Sequence, residues 1–525
     1  MRAKLASLLT LLALATPAAA RAAEPDTLTV ATGGAFTSID PHYHNLGPNN
    51  SIASYVFEPL VKFDARFRPV PGLAASWRAV DAVTWEFKLQ PNAVFQDGTP
   101  FTADDVVFTF GRIPQVLNSP SSFAFATKPV AKFDIVDPHT IRMVTAEPSP
   151  LFPLIVSAPM IVSRKYGEGA STADYNSGKA AIGTGPYKLG SAALGDRVVF
   201  KRNERWWAGK APFETVIYRM IPNDAARSAA LQAGDVEVID QVPTRDVANL
   251  RANPKLEILS APGQRLIYLY VDSTREQAPG ITDLDGKPIP NPLRDVRVRR
   301  ALSLAINRNA IRDRIMDGFS APTGQLMPEG ANGYDPGLKP DDFDTAQAKK
   351  LLAEAGYPQG FAITLSGPND RYVNDRAIVE AIAQMWTRAG LKVTVNTMPS
   401  SMFFGTIARD EFGIHLIGWS SDTGEASSNL VSIIASSNPA KGRGAVLRGS
   451  HYANPRADEI IERAIATTDE TTREALYRDA TRIGAEDVAF IPLHHQVNVY
   501  AIRKGVSFHP RMIEGIRPQN FMPGQ

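Results

Sequence analysis

The segment Gly418-Trp419-Ser420-Ser421-Asp422-Thr423-Gly424-Glu425 sets one aromatic plate and two carboxylates on a short polar stretch. That chemistry is recognition: an indole face stacks a desolvated amine and a carboxylate such as Asp422 neutralises it, with Glu425 as an extra acid nearby. The stretch follows an apolar run of strand type, Phe412 to Ile417, and small molecules bind beyond the carboxyl ends of strands in open α/β sheets. The same residues also fit a capped surface turn, so this loop alone leaves both readings open. Two other loops have comparable standing. Arg371 and Tyr372 follow the strand pattern Phe361 to Leu365, and Thr32, Gly33, Gly34 and Phe36 follow the alternating strand Thr27 to Ala31.

Motifs for bond-breaking chemistry are absent from the sequence. It holds no HExxH pair, no GxSxG elbow and no phosphate-binding GxxxxGK loop. Gly183-Thr184-Gly185-Pro186 fails as a dinucleotide fingerprint because Lys188 stands in the place of the third glycine. Among the eight histidines, His494 and His495 are adjacent, and adjacent strand residues face opposite ways; a structural or surface role is expected, with a metal or metal-chelate ligand site as the alternative, and neither a resident metal nor a cofactor is expected. Asp104 and Asp105 diverge around a helix, and Asp105 reads as the capping-box partner of Thr102.

The elements that must carry the three loops are α/β units. Residues 216–221, 224–233 and 236–239 read as strand, helix and strand, with Gly234 stopping the helix. Residues 361–365, 375–389 and 391–395 repeat that order, which places Arg371 and Tyr372 between a strand's carboxyl end and a helix's amino end. A helix with Val298, Ala301, Leu302, Ala305 and Ile306 inward is expected to turn Arg297, Arg299 and Arg300 to solvent. The Pro/Gly-rich stretch 277–292 marks a boundary between lobes, and 420–450 reads as one long excursion.

Composition bounds the rest. A basic start at Arg2 and Lys4, an apolar run from Leu5 to Ala15 and small residues near Ala18 to Ala23 form a secretory signal peptide. The chain has no cysteine, so it has neither disulfides nor a lipoprotein acceptor, and a free periplasmic protein is expected. A net charge of +2 gives no reason to expect nucleic acid or an anionic membrane as partner.

Four blocks then resemble one known family: Trp85-Glu86-Phe87-Lys88-Leu89 with Phe95-Gln96-Asp97-Gly98-Thr99-Pro100-Phe101-Thr102-Ala103-Asp104-Asp105; Gly183-Thr184-Gly185-Pro186-Tyr187 with Asn203-Glu204-Arg205-Trp206-Trp207; Asp295-Val296-Arg297-Val298-Arg299-Arg300-Ala301-Leu302; and Ala353-Glu354-Ala355-Gly356-Tyr357-Pro358. The family is the extracellular solute-binding proteins of peptide- and nickel-type ABC importers. The resemblance implies a two-lobed periplasmic-binding-protein type II fold with an extra domain on the first lobe. It implies residues 1–23 as signal peptide, 24–54, 196–274 and 493–525 as lobe 1, 55–195 as the extra domain, and 275–492 as lobe 2. Hinges are expected near Tyr270 to Ser273 and Pro492 to Asn498.

Family dipeptide binders hold the peptide amine with the aspartate of a Gly-Trp-x-x-Asp loop, matched here by Gly418 to Asp422, and the carboxylate with an arginine to which Arg371 corresponds. The sequence departs after Asp422, where those binders have an acid and a proline and this chain has Thr423-Gly424-Glu425. The expected protein is a monomeric receptor, not an enzyme, which hands a small peptide or peptide-like solute to an inner-membrane permease driven by a separate ATPase. A nickel-chelate, glutathione or opine-like solute is an alternative of the same class, and a secreted peptidase-like hydrolase one of another class.

Overall fold

The computed structural model describes residues 26–65, 67–421, 423–438 and 451–522. The expected signal peptide, Asp422 and the stretch 439–450 lie outside the described residues. One sheet of twelve strands runs through both lobes, and a separate four-stranded antiparallel sheet stands on its own core. No described helix is long and apolar enough to cross a membrane.

In the first lobe, strand Thr27–Thr32 is flanked by two parallel neighbours, Thr215–Met220 and Val238–Ile239, with Val30 opposite both Tyr218 and Val238. The helix Asp224–Ala233 makes the crossover between those neighbours. It starts where the Asn223 side chain accepts the Ala226 amide and ends at Gly234, whose φ of 89° few side chains tolerate. All three strands therefore point their carboxyl ends the same way, at Thr32, Ile221 and Asp240. In the second lobe, Ala362–Pro368 and Lys392–Met398 run parallel in continuous register around the helix Asp375–Arg388, which buries Ile378, Val379, Ile382 and Trp386. Strand Ile414–Trp419 joins the other side of Ala362–Pro368 through Ser366 and His415. Both α/β units expected from the sequence are present.

Two long strands, Leu256–Val271 and Phe490–Arg503, pair with each other from one lobe into the other. Their register breaks between Pro262 and Leu266, opposite Val497 and His495. That break falls inside the second expected hinge, 492–498, but ahead of the first, 270–273, because Tyr270 is still paired on both sides, with His415 and Phe490. Gly263 sits at the break, where a Cβ would come within 2.4 Å of the Gln496 carbonyl.

The four-stranded sheet, Ala74–Ala79, Thr84–Leu89, Thr140–Thr145 and Val130–Asp137 in spatial order, packs Phe87, Leu89, Ile141 and Met143 against Phe95, Phe101, Val106 and Phe110. The expected capping box is formed: the Thr102 amide donates to Asp105 Oδ2 at 3.0 Å at the head of helix Ala103–Arg112. One expectation needs correction. Arg299 is buried, not solvated: its guanidinium donates to the carbonyls of Leu293, Arg294, Asp487 and Val488, where helix ends leave acceptors unfilled. Arg300 likewise binds Asp341 and the Ala485 carbonyl, and of the three only Arg297 keeps to the surface.

Candidate functional site

A cavity of about 340 Å³ lies where the carboxyl ends of the first-lobe strands meet the loop after Ala362–Pro368. The first lobe contributes Thr32, Gly33, Asp240 and Gln241, the second Arg371 and Ser400, and the crossing strand Gln496 and Asn498. The lobes also touch beside it: Asn374 donates to Thr244 Oγ1 at 2.9 Å.

Several residues singled out in the sequence line this space: Thr32, Gly33, Gly34 and Arg371. The glycines are required by close approach, since a Cβ on Gly33 would meet Arg227 at 2.7 Å and one on Gly34 would meet Pro48 at 2.6 Å. Arg371 is held by its backbone: its amide and that of Tyr372 both donate to Asp375 Oδ2 at 2.9 Å, so the helix Asp375–Arg388 fixes the loop at its head. Tyr372 is a platform rather than a wall. Its ring lies 5.1 Å from the Arg371 guanidinium and 5.7 Å from that of Arg265, and its hydroxyl is anchored on the Gly418 carbonyl.

The Arg371 guanidinium has no ion-pair partner among the described residues. Burial and the neighbouring Arg265 charge hold its pKa below the usual arginine value. Arg265 itself is matched, donating through two nitrogens to Glu514 at 2.6 and 2.8 Å. The second-lobe wall thus carries one guanidinium in excess, a site that an incoming carboxylate would neutralise.

Other expected residues stand elsewhere. Phe36 is buried in the first-lobe core, edge-on to Tyr218 at 5.9 Å, and supports the wall from behind. Trp419 ends its strand opposite Leu266, packed against the core of the second lobe, with its indole N–H unpartnered among the described residues. Glu425 is turned inward: Tyr477 donates to Oε1 and Arg473 to Oε2, so its charge is taken up inside the second lobe and it does not line the cavity. An acid immediately before a helical turn gave no sign in the sequence of an arginine and a tyrosine some fifty residues on. Asp422 lies outside the described residues.

The sequence reading passed over Asp240, Gln241, Tyr218, Asn498 and Glu514, all on the cavity wall. A signal for Asp240 was available, because it follows a recognised strand at the same sheet edge as Thr32. The histidines go to packing. His42 bonds the Met160 carbonyl and Arg112 within a buried group that includes Asp40. His415, His494 and His495 are buried, and the ring nitrogens of His415 and His494 lack hydrogen-bond partners among the described residues. No group of three or more metal-ligating side chains occurs among the described residues.

With this geometry in hand, comparison with known proteins is informative. The family described as "Bacterial extracellular solute-binding proteins, family 5 Middle" matches residues 68–441. The glutathione-binding protein GsiB of Escherichia coli K12 is 27% identical over 499 residues, covering 93% of this chain and 91% of its own. Among solved structures, the periplasmic binding protein DppA of Helicobacter pylori in complex with the peptide STSA superposes with a TM-score of 0.78 at 22% identity, over 94% of this chain and 97% of that one. NikZ of Campylobacter jejuni in complex with Ni(L-His) gives 0.76 at 21% identity, over 91% and 94%.

Proposed function

Since the chain belongs to family 5 of the bacterial extracellular solute-binding proteins, we propose that it is an exported receptor which clamps a peptide or peptide-like solute between its lobes and delivers it to an ABC permease with a separate ATPase. The observation that carries this reading is the unpaired Arg371 guanidinium on a cavity walled by both lobes. A ligand shifts an open–closed equilibrium only by what it gains in the closed form, so a solute must engage both walls. In this reading Arg371 takes the solute carboxylate. Asp422 takes its amine by the match to the Gly-Trp-x-x-Asp pattern, and Tyr372 holds the guanidinium in place.

The test is native mass spectrometry of protein purified from its own source, followed by calorimetry with dipeptides, glutathione and a nickel–histidine complex as separate arms. A released peptide, and dipeptide affinity that closes the molecule in small-angle scattering, supports the proposal. Binding of the nickel complex alone would reassign the solute class, and cleavage of the peptides would make the protein a hydrolase.

A further inference from the structure

The first-lobe wall contains a charge that neither the fold nor the proposed solute contacts account for. Asp240 follows strand Val238–Ile239, which pairs in parallel with Thr27–Thr32, so its carboxyl group and the Thr32 side chain share one sheet edge. Thr32 Oγ1 donates to Asp240 Oδ2 at 3.1 Å, while Oδ1 has no hydrogen-bond partner among the described residues. The residue is 3% exposed and lines the cavity.

The nearest cation cannot satisfy it. Arg227 has five N–H groups, and five acceptors take them: the carbonyls of Asp240, Ile221, Pro222 and Gln241, and Asp224 Oδ1. None is the Asp240 carboxylate. The other acids on the wall are matched, Glu514 by Arg265 and Asp370 by the Ser400 amide at 2.7 Å. Gln241, next in the chain, sits on the same wall at a φ of 48°.

Resting on the reading of the protein as a peptide-like solute receptor, we infer that Asp240 is a first-lobe cation site and that the solute is basic, carrying a second cationic group besides its α-amine. The carboxylate is desolvated, which lifts its pKa to about 6 even with the Arg227 charge and the Gly33 amide acting on it, and a lysine-like ammonium would supply the missing donor to Oδ1 and further counter-charge. With Arg371 on the opposite lobe, the cleft would then read a positive side chain and a carboxylate at once.

The test is calorimetry of the full-length protein with two dipeptides of matched length, Ala-Lys and Ala-norleucine, on wild type, Asp240→Asn and Asp422→Asn. The expected result is a wild-type preference for Ala-Lys of at least about 30-fold, falling below about threefold in Asp240→Asn while Ala-norleucine affinity is unchanged. The ratio in Asp422→Asn should stay as in wild type although both peptides weaken. Equal wild-type affinities, or a preference that survives Asp240→Asn, would overturn the cation site and leave the receptor reading intact. If neither peptide binds wild type, the cation site falls, and the receptor reading is decided by the separate glutathione and nickel–histidine arms. Since the wild-type ratio needs no variant, a misfolded Asp240→Asn would not rescue the inference.

Discussion

Arg371 and Asp240 are two opposite charges that the protein leaves unmatched on facing walls, and each has a distinct signature. Arg371→Ala should weaken solutes with a free carboxylate by about 2–5 kcal/mol and their amides far less, since an amide offers no charge to pair; calorimetry on acid and amide forms of one dipeptide measures the difference. Equal losses would make Arg371 a structural residue. Asp240→Asn should behave in the opposite sense for stability. A carboxyl whose folded pKa is raised to about 6 favours the folded state at low pH and loses that contribution as pH rises from about 4 to 6. At pH 7 the charged group therefore costs up to about 3 kcal/mol, and Asp240→Asn should melt at or above the wild-type temperature even as it loses affinity. Burial is the main cause that raises it, the Arg227 charge, the Thr32 hydroxyl and the Gly33 amide lower it, and Glu514 raises it further. That Thr32, Gly33, Gly34 and Arg371 line the cavity was legible because a strand pattern followed by a small or polar loop marks a sheet edge. Phe36 and Glu425 lie off it, which was not legible because a loop residue facing the core has the same local sequence as one facing a cavity. Arg299 misled, since only the docking of distant carbonyls decides whether an arginine on a helix is solvated.

At the level of elements, the cleft depends on how a helix start and a strand crossing are fixed. Asp375 ties the Arg371 and Tyr372 amides to the first turn of helix Asp375–Arg388. Asp375→Ala should free that loop, costing about 1–2 kcal/mol of stability as a lost cap and lowering solute affinity although residue 375 itself lies off the cavity. Chemical unfolding and calorimetry on one preparation would separate the two effects, and unchanged affinity would show that the loop holds Arg371 without its anchor. Both α/β units, the capping box at Thr102 and the stripe beginning at Val298 were readable, because their periodicity and caps are local. The register break could not be read from the sequence: it falls where Pro262 and Gly263 meet Gln496, and such pairing depends on partners more than two hundred positions apart. Gly263→Ala would press a Cβ onto the Gln496 carbonyl, and a loss of about 1–3 kcal/mol is expected from equilibrium unfolding.

For the molecule as a whole, the buried histidines set an acid limit. Burial depresses His42 and His495 to about 4 and His415 and His494 to about 3, so all four are neutral when folded. In the unfolded chain they take protons below about pH 6.5, and stability present above that pH is lost on acidification toward their folded values. Each costs roughly 2 kcal/mol by pH 5, and calorimetric melting between pH 7 and 5 should fall steeply. His415→Phe, which keeps the stacking on Tyr270, should flatten that slope by about one proton. A melting temperature unchanged over this range would show that these rings are not neutral by burial.

The way the first lobe is sewn together has a further consequence, in the order of events during biosynthesis. Strand Val238–Ile239 needs Phe490–Arg503 as its outer neighbour, Tyr55 packs with Ile516 in one core, and the Phe63 carbonyl waits for Arg511. Partners separated by more than four hundred positions cannot meet while the chain is still emerging, and such distant closures make folding slow. The chain can thus complete its second lobe while the opposite wall is still open, and Glu514 seals that wall only after the second-lobe residues have been made. A nascent or truncated copy lacking this last stretch would have no finished cleft, so it could not capture solute or compete with complete receptors for the transporter.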